Sequence, residues 1–107
     1  MNPKFRSGLV MAVVALLAGA AGFAQSPGEA IYKEKCANCH GSNGLANSSV
    51  SRLMKVKPIT DPEIKKLTAA GMIQLTRDGV GKMQSYKGEL TDAQIKDSVD
   101  YFRTFLK

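Results

Sequence analysis

The sequence predicts an all-α fold of three to five short helices joined by long loops. Signals that begin a helix recur along the chain, at Ser26, Thr60, Thr68 and Thr91, where a serine or threonine precedes a run of helix-forming residues. No segment alternates polar and apolar residues convincingly, as a half-buried strand would. The chain therefore has the pattern of a small helical domain and lacks that of a sheet.

The first predicted helix begins at a capping box, Ser26-Pro27-Gly28-Glu29. The Ser26 hydroxyl can accept a hydrogen bond from the backbone N–H of Glu29, the Glu29 side chain can reach back, and proline suits the first helical position. We expect this helix to run to about Ala37. Residues 41–59 are rich in Gly, Asn and Ser and predict an irregular loop.

Two further helices are predicted in the middle of the chain. Thr60-Asp61-Pro62-Glu63 repeats the capping device of the first helix. Thr68 can cap the next helix, which is expected to run through Met72 to about Arg77 and to end at Gly79.

The last helix opens at Thr91-Asp92-Ala93-Gln94. Its apolar residues are spaced by four, three and four and form one stripe along the helix: Ile95, Val99, Phe102 and Leu106. We expect the last helix to pack on the core through this apolar stripe.

Residues 1–24 are predicted to be a secretory signal peptide. Two basic residues precede an uncharged apolar run, residues 8–23, and small residues stand before a cleavage site at Gln25, as in export signals. The alternative is an uncleaved membrane anchor, for which the run is short, since a spanning helix needs about 20 apolar residues. Cleavage would place a single domain, residues 25–107, in the periplasm.

The domain left after cleavage is small for a self-sufficient core. Removing 24 residues from a chain of 107 leaves 83, and domains near or below about 70–80 residues usually need a disulfide, a metal or a bound cofactor. Without Lys4 and Arg6 the domain has 13 basic and 9 acidic residues, a net charge of +4. The basic residues are not gathered in one stripe, so we expect no nucleic-acid partner.

One motif carries the chemistry of the chain: Cys36-Ala37-Asn38-Cys39-His40. This C-x-x-C-H pattern is typical of covalent c-type haem attachment. Cys36 and Cys39 are three residues apart, so on a helical turn both side chains project from one face and can form thioethers with two vinyl groups of one porphyrin. His40 follows directly and can bind the iron. A covalent haem would also supply the missing core.

Three other sites could use these cysteines. A zinc site needs four ligands, and the motif supplies three, with no other Cys or His in the chain. A thioredoxin-like site belongs to a βαβ setting, which the sequence does not predict. A disulfide between Cys36 and Cys39 is compatible with export but does not supply a core. Export, the missing core and the adjacent histidine together favour haem.

The sixth iron ligand is predicted to be a methionine. His40 is the sole histidine of the chain, and methionine is the usual partner of histidine in electron-carrying c-type haem. Met83 is favoured, because two glycines shortly before it allow the irregular backbone that directs a side chain at a metal. Met54 and Met72 are the alternatives, the first only 14 residues after His40 and the second on a helix face suited to core packing.

Three segments occur in an order and spacing that resemble the class I c-type cytochromes of the short bacterial monohaem type. The resemblance covers nearly all of residues 26–107. It is carried by Gly28-x-x-x-Tyr32-x-x-x-Cys36-x-x-Cys39-His40-Gly41, by Gly79-x-Gly81-Lys82-Met83, and by Tyr86-x-Gly88-x-Leu90-Thr91 with the helix that holds Ile95, Val99 and Tyr101.

This resemblance implies a small cytochrome c fold, with short helices and long loops wrapped around one covalently bound haem c. It implies that His40 and Met83 are the axial ligands. It also implies that the first and last helices cross, with Gly28 allowing close approach near Tyr101 or Phe102.

The same resemblance implies roles for two residues near the ligands. The carbonyl of Pro58 is expected to accept a hydrogen bond from the ligand histidine and so to tune the iron. Gln84 stands where the family commonly has proline directly after the ligand methionine. Because proline would stiffen the loop through its fixed φ, our hypothesis is that Gln84 makes the bond between iron and Met83 more labile.

The predicted function is that of a monomeric one-electron carrier rather than an enzyme, because two axial ligands leave the iron no open position for a substrate. Redox protein partners with acidic docking surfaces are expected if the lysines form a positive rim near the haem. The alternative is that the lysines are spread evenly. The lysines that could form such a rim are Lys82 and Lys87, which flank Met83, together with Lys33, Lys35, Lys55 and Lys57.

Two other functions stay open at this point. A haem-based ligand sensor or weak peroxidase would need a labile sixth ligand, for which Gln84 gives some reason. A membrane-tethered subunit of a redox complex would need residues 1–24 to remain as an anchor, and only in that case do we expect contact with a membrane.

Overall fold

Residues 26–106 are the part of the chain that the computed structural model describes, and they form six α-helices and a final 3₁₀ turn, with no β-strand in this range. The predicted signal peptide, residues 1–24, lies outside the described residues. The elements are α1 (Pro27–Lys35), α2 (Ala37–His40), α3 (Ser49–Leu53), α4 (Pro62–Lys65), α5 (Ala69–Asp78), α6 (Asp92–Arg103) and the 3₁₀ turn Thr104–Leu106. The all-α prediction is confirmed, but the described residues hold six α-helices where three to five were predicted.

The first predicted helix is divided into α1 and α2 by a break at Cys36. One half of the predicted capping box is present, since the Ser26 hydroxyl accepts a hydrogen bond from the N–H of Glu29 at 3.3 Å, whereas the Glu29 side chain does not reach back. The Glu29 carboxylate forms an ion pair with Lys33 at 2.9 Å, the usual pairing of residues four apart on a helix. The backbone N–H of Cys36 still donates to the carbonyl of Tyr32 at 2.9 Å, so the break turns the chain without losing that bond.

The segment predicted as an irregular loop, residues 41–59, contains the short helix α3. Ser48 caps this helix by accepting a hydrogen bond from the N–H of Ser51 at 3.0 Å. Just after the helix, Lys55 adopts the left-handed conformation, with φ of +53°, which costs a residue other than glycine about 1–2 kcal/mol. Serine-rich composition is typical of turns as well as of caps, which is why the pattern did not separate the helix from its loop.

The start of α4 lies one residue later than predicted. Asp61 rather than Thr60 is the cap, and its carboxylate accepts a hydrogen bond from the N–H of Glu63 at 2.9 Å. Proline disfavours the helical conformation of the residue before it. Pro62 therefore holds Asp61 extended, which is the conformation that a capping residue needs.

The starts of α5 and α6 agree with the sequence prediction. Thr68 caps α5, and the helix ends with Gly79 as its C-terminal cap. Thr91 and Gln94 form a complete capping box at the start of α6, with both reciprocal hydrogen bonds present. These signals are local, and local chemistry alone sets these ends.

Helices α1 and α6 cross at a glycine, as expected. A Cβ atom on Gly28 would lie 1.9 Å from the carbonyl oxygen of Asp97 and 3.1 Å from the backbone nitrogen of Ser98. Only a residue without a side chain fits there. The contact point lies about one helical turn before Tyr101, the position that the resemblance implied.

Aromatic residues fill the rest of this crossing. The ring of Tyr32, only 1% exposed, lies 5.4–5.8 Å between centroids from three aromatic rings of the C-terminal region: Tyr101, Phe102 and Phe105. Such separations are those of favourable tilted and stacked aromatic pairs. The crossing is therefore a packed aromatic contact centred on Tyr32.

A second apolar cluster joins α5, α6 and the segment between them. Its buried members are Met72, Tyr86, Ile95 and Val99. The Arg103 guanidinium donates to the carbonyl of Leu67 at 3.0 Å and so links the end of α6 to the chain before α5. Within residues 26–106, no helix is both long and apolar enough to cross a bilayer.

Candidate functional site

The two cysteines and the histidine of the motif lie within one turn of the chain. Cys36 occupies the break between α1 and α2, and Cys39 and His40 lie in α2. Both thiols are free, so the disulfide considered as an alternative is not formed. Burial raises the pKa of the Cys36 thiol to about 11, and the nearby Cys39 adds to the rise. Cys36 is therefore a protonated thiol at neutral pH.

Three buried hydroxyl groups hold the backbone around the motif. They donate to three carbonyl oxygens: Tyr86 to Lys35 at 2.9 Å, Ser51 to Cys39, and Tyr32 to Gly41 at 2.6 Å. The donors come from the segment after Met83, from α3 and from α1. The motif is thus fixed to three separate parts of the fold.

Sequence reasoning missed these roles. The two tyrosines entered only as members of a resembling pattern, and Ser51 was one serine among several in a predicted loop. The only sequence signal for Ser51 is its spacing of three from Ser48, which predicts a capped helix start. A hydrogen bond that spans 12 residues, as from Ser51 to Cys39, has no local signature.

The His40 ring is largely shielded from solvent and neutral. It meets the ring of Phe102 edge-to-face, with 5.2 Å between centroids. Burial lowers the pKa of His40, which favours the neutral imidazole that binds metals. Its Nδ1 atom is buried and has no hydrogen-bond partner among the described residues.

The hydrogen bond expected between His40 and the Pro58 carbonyl is not present. That carbonyl accepts from the N–H of Asp61 at 2.9 Å instead. The chain turns at Pro58 into the extended cap of α4, and this carbonyl closes that turn.

Met83 lies in a loop that we define as residues 79–90 and call the ligand loop. Val80 and Met83 exchange two backbone hydrogen bonds, of 3.1 and 2.9 Å. Gly79, with φ of +79°, precedes this pair, and a Cβ atom there would lie 2.9 Å from the Met83 carbonyl oxygen. The tight backbone turn around Met83 therefore depends on this glycine.

The Met83 side chain is half-buried and packs against the second apolar cluster. Phe102 packs against the same cluster and also lies against the ring of His40. Met72 is a core residue, only 6% exposed. Met54 is half-buried at the end of α3.

Gln84, the departure from the resembling pattern, is tied to a neighbour. Its amide donates to the carboxylate of Glu89 at 3.5 Å. Glu89 in turn pairs with Lys35 at 3.3 Å, and Lys35 directly precedes Cys36. An exposed polar chain thus joins the ligand loop to the end of α1.

The site fits a covalently held haem on two observations of the structure. Two free thiols lie three residues apart next to a neutral histidine, and the buried Nδ1 of that histidine lacks a partner. Within residues 26–106, no three or more His, Cys, Asp or Glu side chains are placed to hold a metal ion by themselves. The donor set therefore suits a metal that is largely bound by its own macrocycle.

Comparisons with known proteins agree with this fold. The model of the family described as "Cytochrome C oxidase, cbb3-type, subunit III" matches residues 23–102. A solved structure, that of the KustC0563 c-type cytochrome, is 25% identical with a TM-score of 0.66, and the match covers 73% of this chain and 95% of that chain. No curated protein matches the chain. The prediction of a small cytochrome c fold is confirmed, and the chain belongs to the matched family as a class I c-type cytochrome.

Proposed function

We propose that this cytochrome is a periplasmic one-electron carrier with one haem c, attached through Cys36 and Cys39 and ligated by His40 and Met83. The observation that carries the proposal is the state of His40: half-buried and neutral, with a buried Nδ1 atom that has no partner among the described residues, directly after a free thiol. When bound, the haem supplies an iron that alternates between the ferric and ferrous states. The protein contributes attachment, orientation and exclusion of water.

The surroundings of His40 would fix its orientation. The Phe102 ring covers one side of the imidazole, and the carbonyl of His40 accepts a hydrogen bond from the N–H of Ala46 at 2.9 Å. The hydroxyl of Ser51 holds the carbonyl of the preceding residue, Cys39. A ligand held on both backbone and ring keeps its geometry in both oxidation states, which favours fast electron exchange.

Met83 supports a closed iron site in this proposal. Its backbone is fixed by the paired bonds with Val80, and its half-buried side chain packs against the apolar cluster. A thioether in an apolar setting raises the reduction potential of the haem. If His40 and Met83 both bound the iron, no ligand position would remain for a substrate, so we propose no enzymatic reaction.

Absorption spectra of the holoprotein in both oxidation states test the proposal. We expect the spectrum of a haem c and, in the ferric state, a weak near-infrared charge-transfer band from the iron–sulfur bond. Met83→Leu should abolish that band and lower the reduction potential, while the matched variant Met54→Leu should retain both. Loss of the band in Met54→Leu instead would transfer the ligand role to Met54, and absence of the band in the unmodified protein would reject methionine ligation.

The alternative of a ligand sensor or weak peroxidase depends on Gln84. Replacing Gln84 by proline should raise the pH at which the charge-transfer band is lost, if the loop is more labile for want of proline. An unchanged midpoint would contradict that hypothesis. Rapid binding of carbon monoxide by the ferrous protein at neutral pH would favour the sensor over the carrier.

A second candidate function is that of a subunit in a larger redox complex. The observation that favours it is the description of the matched family, which names a subunit of an oxidase. Residues 1–24 would then stay attached as a membrane anchor. Cell fractionation with N-terminal sequencing separates the two: a periplasmic protein that starts near Gln25 supports the carrier, and a membrane protein with an intact N-terminus supports the subunit.

A further inference from the structure

A row of aromatic rings runs from His40, the proposed haem ligand, to the surface of the protein. The His40 ring meets Phe102 edge-to-face, with 5.2 Å between centroids. Phe102 stacks on Tyr32 at 5.8 Å, with 19° between the ring planes, and Tyr32 meets Tyr101 at 5.4 Å. Aromatic pairs in contact have centroids about 4.5–7 Å apart. The row is therefore continuous from His40 to Tyr101.

The rings of this row differ in how readily they lose an electron. A phenol is oxidised far more easily than a phenyl ring, because its oxygen donates electron density to the ring. Tyr32 and Tyr101 are therefore sites that can lose an electron, and Phe102 is a bridge between His40 and Tyr32. Since electron tunnelling weakens steeply with distance, two short steps through these sites are faster than one long step from the surface.

Tyr32 is a poor place for an oxidation to end. Its side chain is only 1% exposed, and its hydroxyl donates to the Gly41 carbonyl at 2.6 Å. An oxidised phenol becomes a stable radical only after its proton has left. A carbonyl oxygen is too weak a base to take that proton, and burial raises the pKa of Tyr32, which again opposes proton loss. An oxidation that reaches Tyr32 therefore passes on to the next ring.

Tyr101 has the proton acceptors that Tyr32 lacks. It is half-buried and lines a surface groove of about 210 Å³ between the start of α1 and the C-terminal part of α6. Asp97 and Asp100, both ionised near neutral pH in the ordinary case, line the same groove. Water or a carboxylate in this groove can accept the phenolic proton, so a radical at Tyr101 can be neutral and long-lived.

We propose that this row carries oxidising equivalents away from the haem, and that Tyr101 is a one-electron redox site at which the protein releases them. We call the row the aromatic relay and define it as His40, Phe102, Tyr32 and Tyr101. The inference rests on the proposed function, because it needs a haem bound by His40. The relay would protect the haem when a hydroperoxide, rather than a redox protein, takes its electrons.

The electrons and protons of this reaction balance. A hydroperoxide that reaches the iron while the bond to Met83 is open takes two electrons from the haem site and two protons from water. Its O–O bond breaks, and an alcohol and water leave. Tyr101 returns one electron at a time through the relay and releases one proton into the groove each time. Between the two turns, a reductant of the ascorbate class in solution restores Tyr101 with one electron and one proton.

Hydrogen peroxide is the probe, and the ferric holoprotein variant Met83→Leu is the background, because loss of the proposed ligand gives peroxide access to the iron. Without a reductant, freeze-quench EPR should show a tyrosyl radical. Radicals on two molecules should then couple through a carbon–carbon bond between their rings to give dityrosine, which is detected by its fluorescence. In the unmodified holoprotein the same products should form more slowly.

The chain has three tyrosines, so the site of the radical can be assigned by substitution. In the Met83→Leu background, Tyr101→Phe should abolish the dityrosine and should speed bleaching of the haem absorption, because the oxidising equivalents then stay at the haem. Tyr86→Phe is the matched control, since Tyr86 lies outside the relay, and it should leave both results unchanged. Dityrosine that persists in Tyr101→Phe, or that is lost in Tyr86→Phe, would overturn the proposal.

The route is tested at Phe102. Phe102→Leu should delay the radical and speed bleaching, whereas Phe105→Leu should change neither, because Phe105 packs on both tyrosines without linking them to His40. Phe102→Tyr keeps the ring and adds an oxidisable site, so the radical should appear at least as fast as with phenylalanine. Equal delays in Phe102→Leu and Phe105→Leu would overturn the route, and so would a delay in Phe102→Tyr as long as that in Phe102→Leu.

The absorption spectrum separates failure of the relay from failure of the proposed function. Absence of a haem c spectrum in the unmodified protein would reject the proposed function and the relay with it. A haem c spectrum that is bleached by peroxide, with no tyrosyl radical at any time, would reject the relay alone and leave the electron carrier standing.

Discussion

The crossing of α1 with α6 and the ligand loop both depend on a glycine packed against backbone, yet they are stabilised in different ways. At the crossing, the contact of Gly28 is surrounded by a cluster of aromatic rings. In the ligand loop, the contact of Gly79 is surrounded by hydrogen bonds on exposed or half-buried chain. Packed apolar area stabilises more than exposed hydrogen bonds do. We therefore expect the crossing to be the more stable of the two regions, and the loop to depend more on the iron bond proposed for Met83.

The largest effect is expected at the crossing, from Gly28→Ala. The added methyl group would lie 1.9 Å from the Asp97 carbonyl oxygen, and overpacking of this kind costs about 3 kcal/mol of unfolding free energy. Guanidinium unfolding of the holoprotein, followed by circular dichroism, measures the loss. The control is Gly71→Ala in α5, where the added Cβ would lie 3.2 Å from the Thr68 hydroxyl oxygen and the change in unfolding free energy should stay within about 1 kcal/mol. Similar losses in both variants would contradict a special role of the crossing.

The next effect is expected in the ligand loop, from Gly79→Ala. Its φ of +79° and a Cβ position 2.8 Å from the nitrogen of Ser85 should weaken the loop by about 2 kcal/mol. We expect the iron–sulfur band to disappear at a lower denaturant concentration than the helical signal. Gly81→Ala is the matched control, since its φ is +56° but no atom lies within 4 Å of the added Cβ. A simultaneous loss of both signals would show that the loop and the crossing unfold as one unit.

A smaller effect is expected from Tyr86→Phe, which keeps the ring and removes the hydrogen bond to the Lys35 carbonyl. One such bond contributes about 1 kcal/mol, and its acceptor would be left without this donor. Thermal unfolding of the holoprotein measures the change. Tyr101→Phe is the control, because Tyr101 contributes to the crossing through its ring. A larger loss in Tyr101→Phe would mean that the tyrosine hydroxyl matters more at the crossing than beside the motif.

The smallest effect is expected from Glu89→Gln, which removes the partner of Lys35 near the ligand loop. Both side chains are more than a third exposed, and exposed ion pairs contribute less than about 1 kcal/mol. The iron–sulfur band should be lost at slightly lower denaturant concentration at low salt, with no difference at high salt. Glu34→Gln removes the other carboxylate near Lys35 without touching the loop, and should leave the band unaffected. Equal shifts in both variants would assign the effect to general charge.

Much of this fold could be predicted because its signals are local. Thr68 and Thr91 each cap a helix through a backbone N–H three residues ahead, and Gly79 ends α5 where the sequence predicts the stop. The cap of α4 was misplaced by one residue because two candidate side chains are adjacent, and the following proline decides between them.

The rest depends on contacts between distant parts of the chain. Gly28 predicts a close approach between two helices. Its contact with Asp97 depends on the relative position of α1 and α6 along their axes, which no local pattern indicates. Ser51 could not be assigned to the Cys39 carbonyl, since nothing in a serine-rich loop indicates which serine is buried. The Pro58 carbonyl was assigned to His40 by resemblance, and the turn into α4 uses it instead.

The hydrogen bonds around the motif differ greatly in the length of chain that they close, and this has a consequence for the order of assembly. Tyr32 reaches Gly41 across nine residues, whereas Tyr86 reaches Lys35 across 51. Short chain closures are faster and cost less entropy than long ones. The turn that presents Cys36 and Cys39 can therefore form while the C-terminal half of the chain is still open. We therefore expect both thiols to be accessible during that interval, which would leave time for the proposed haem attachment.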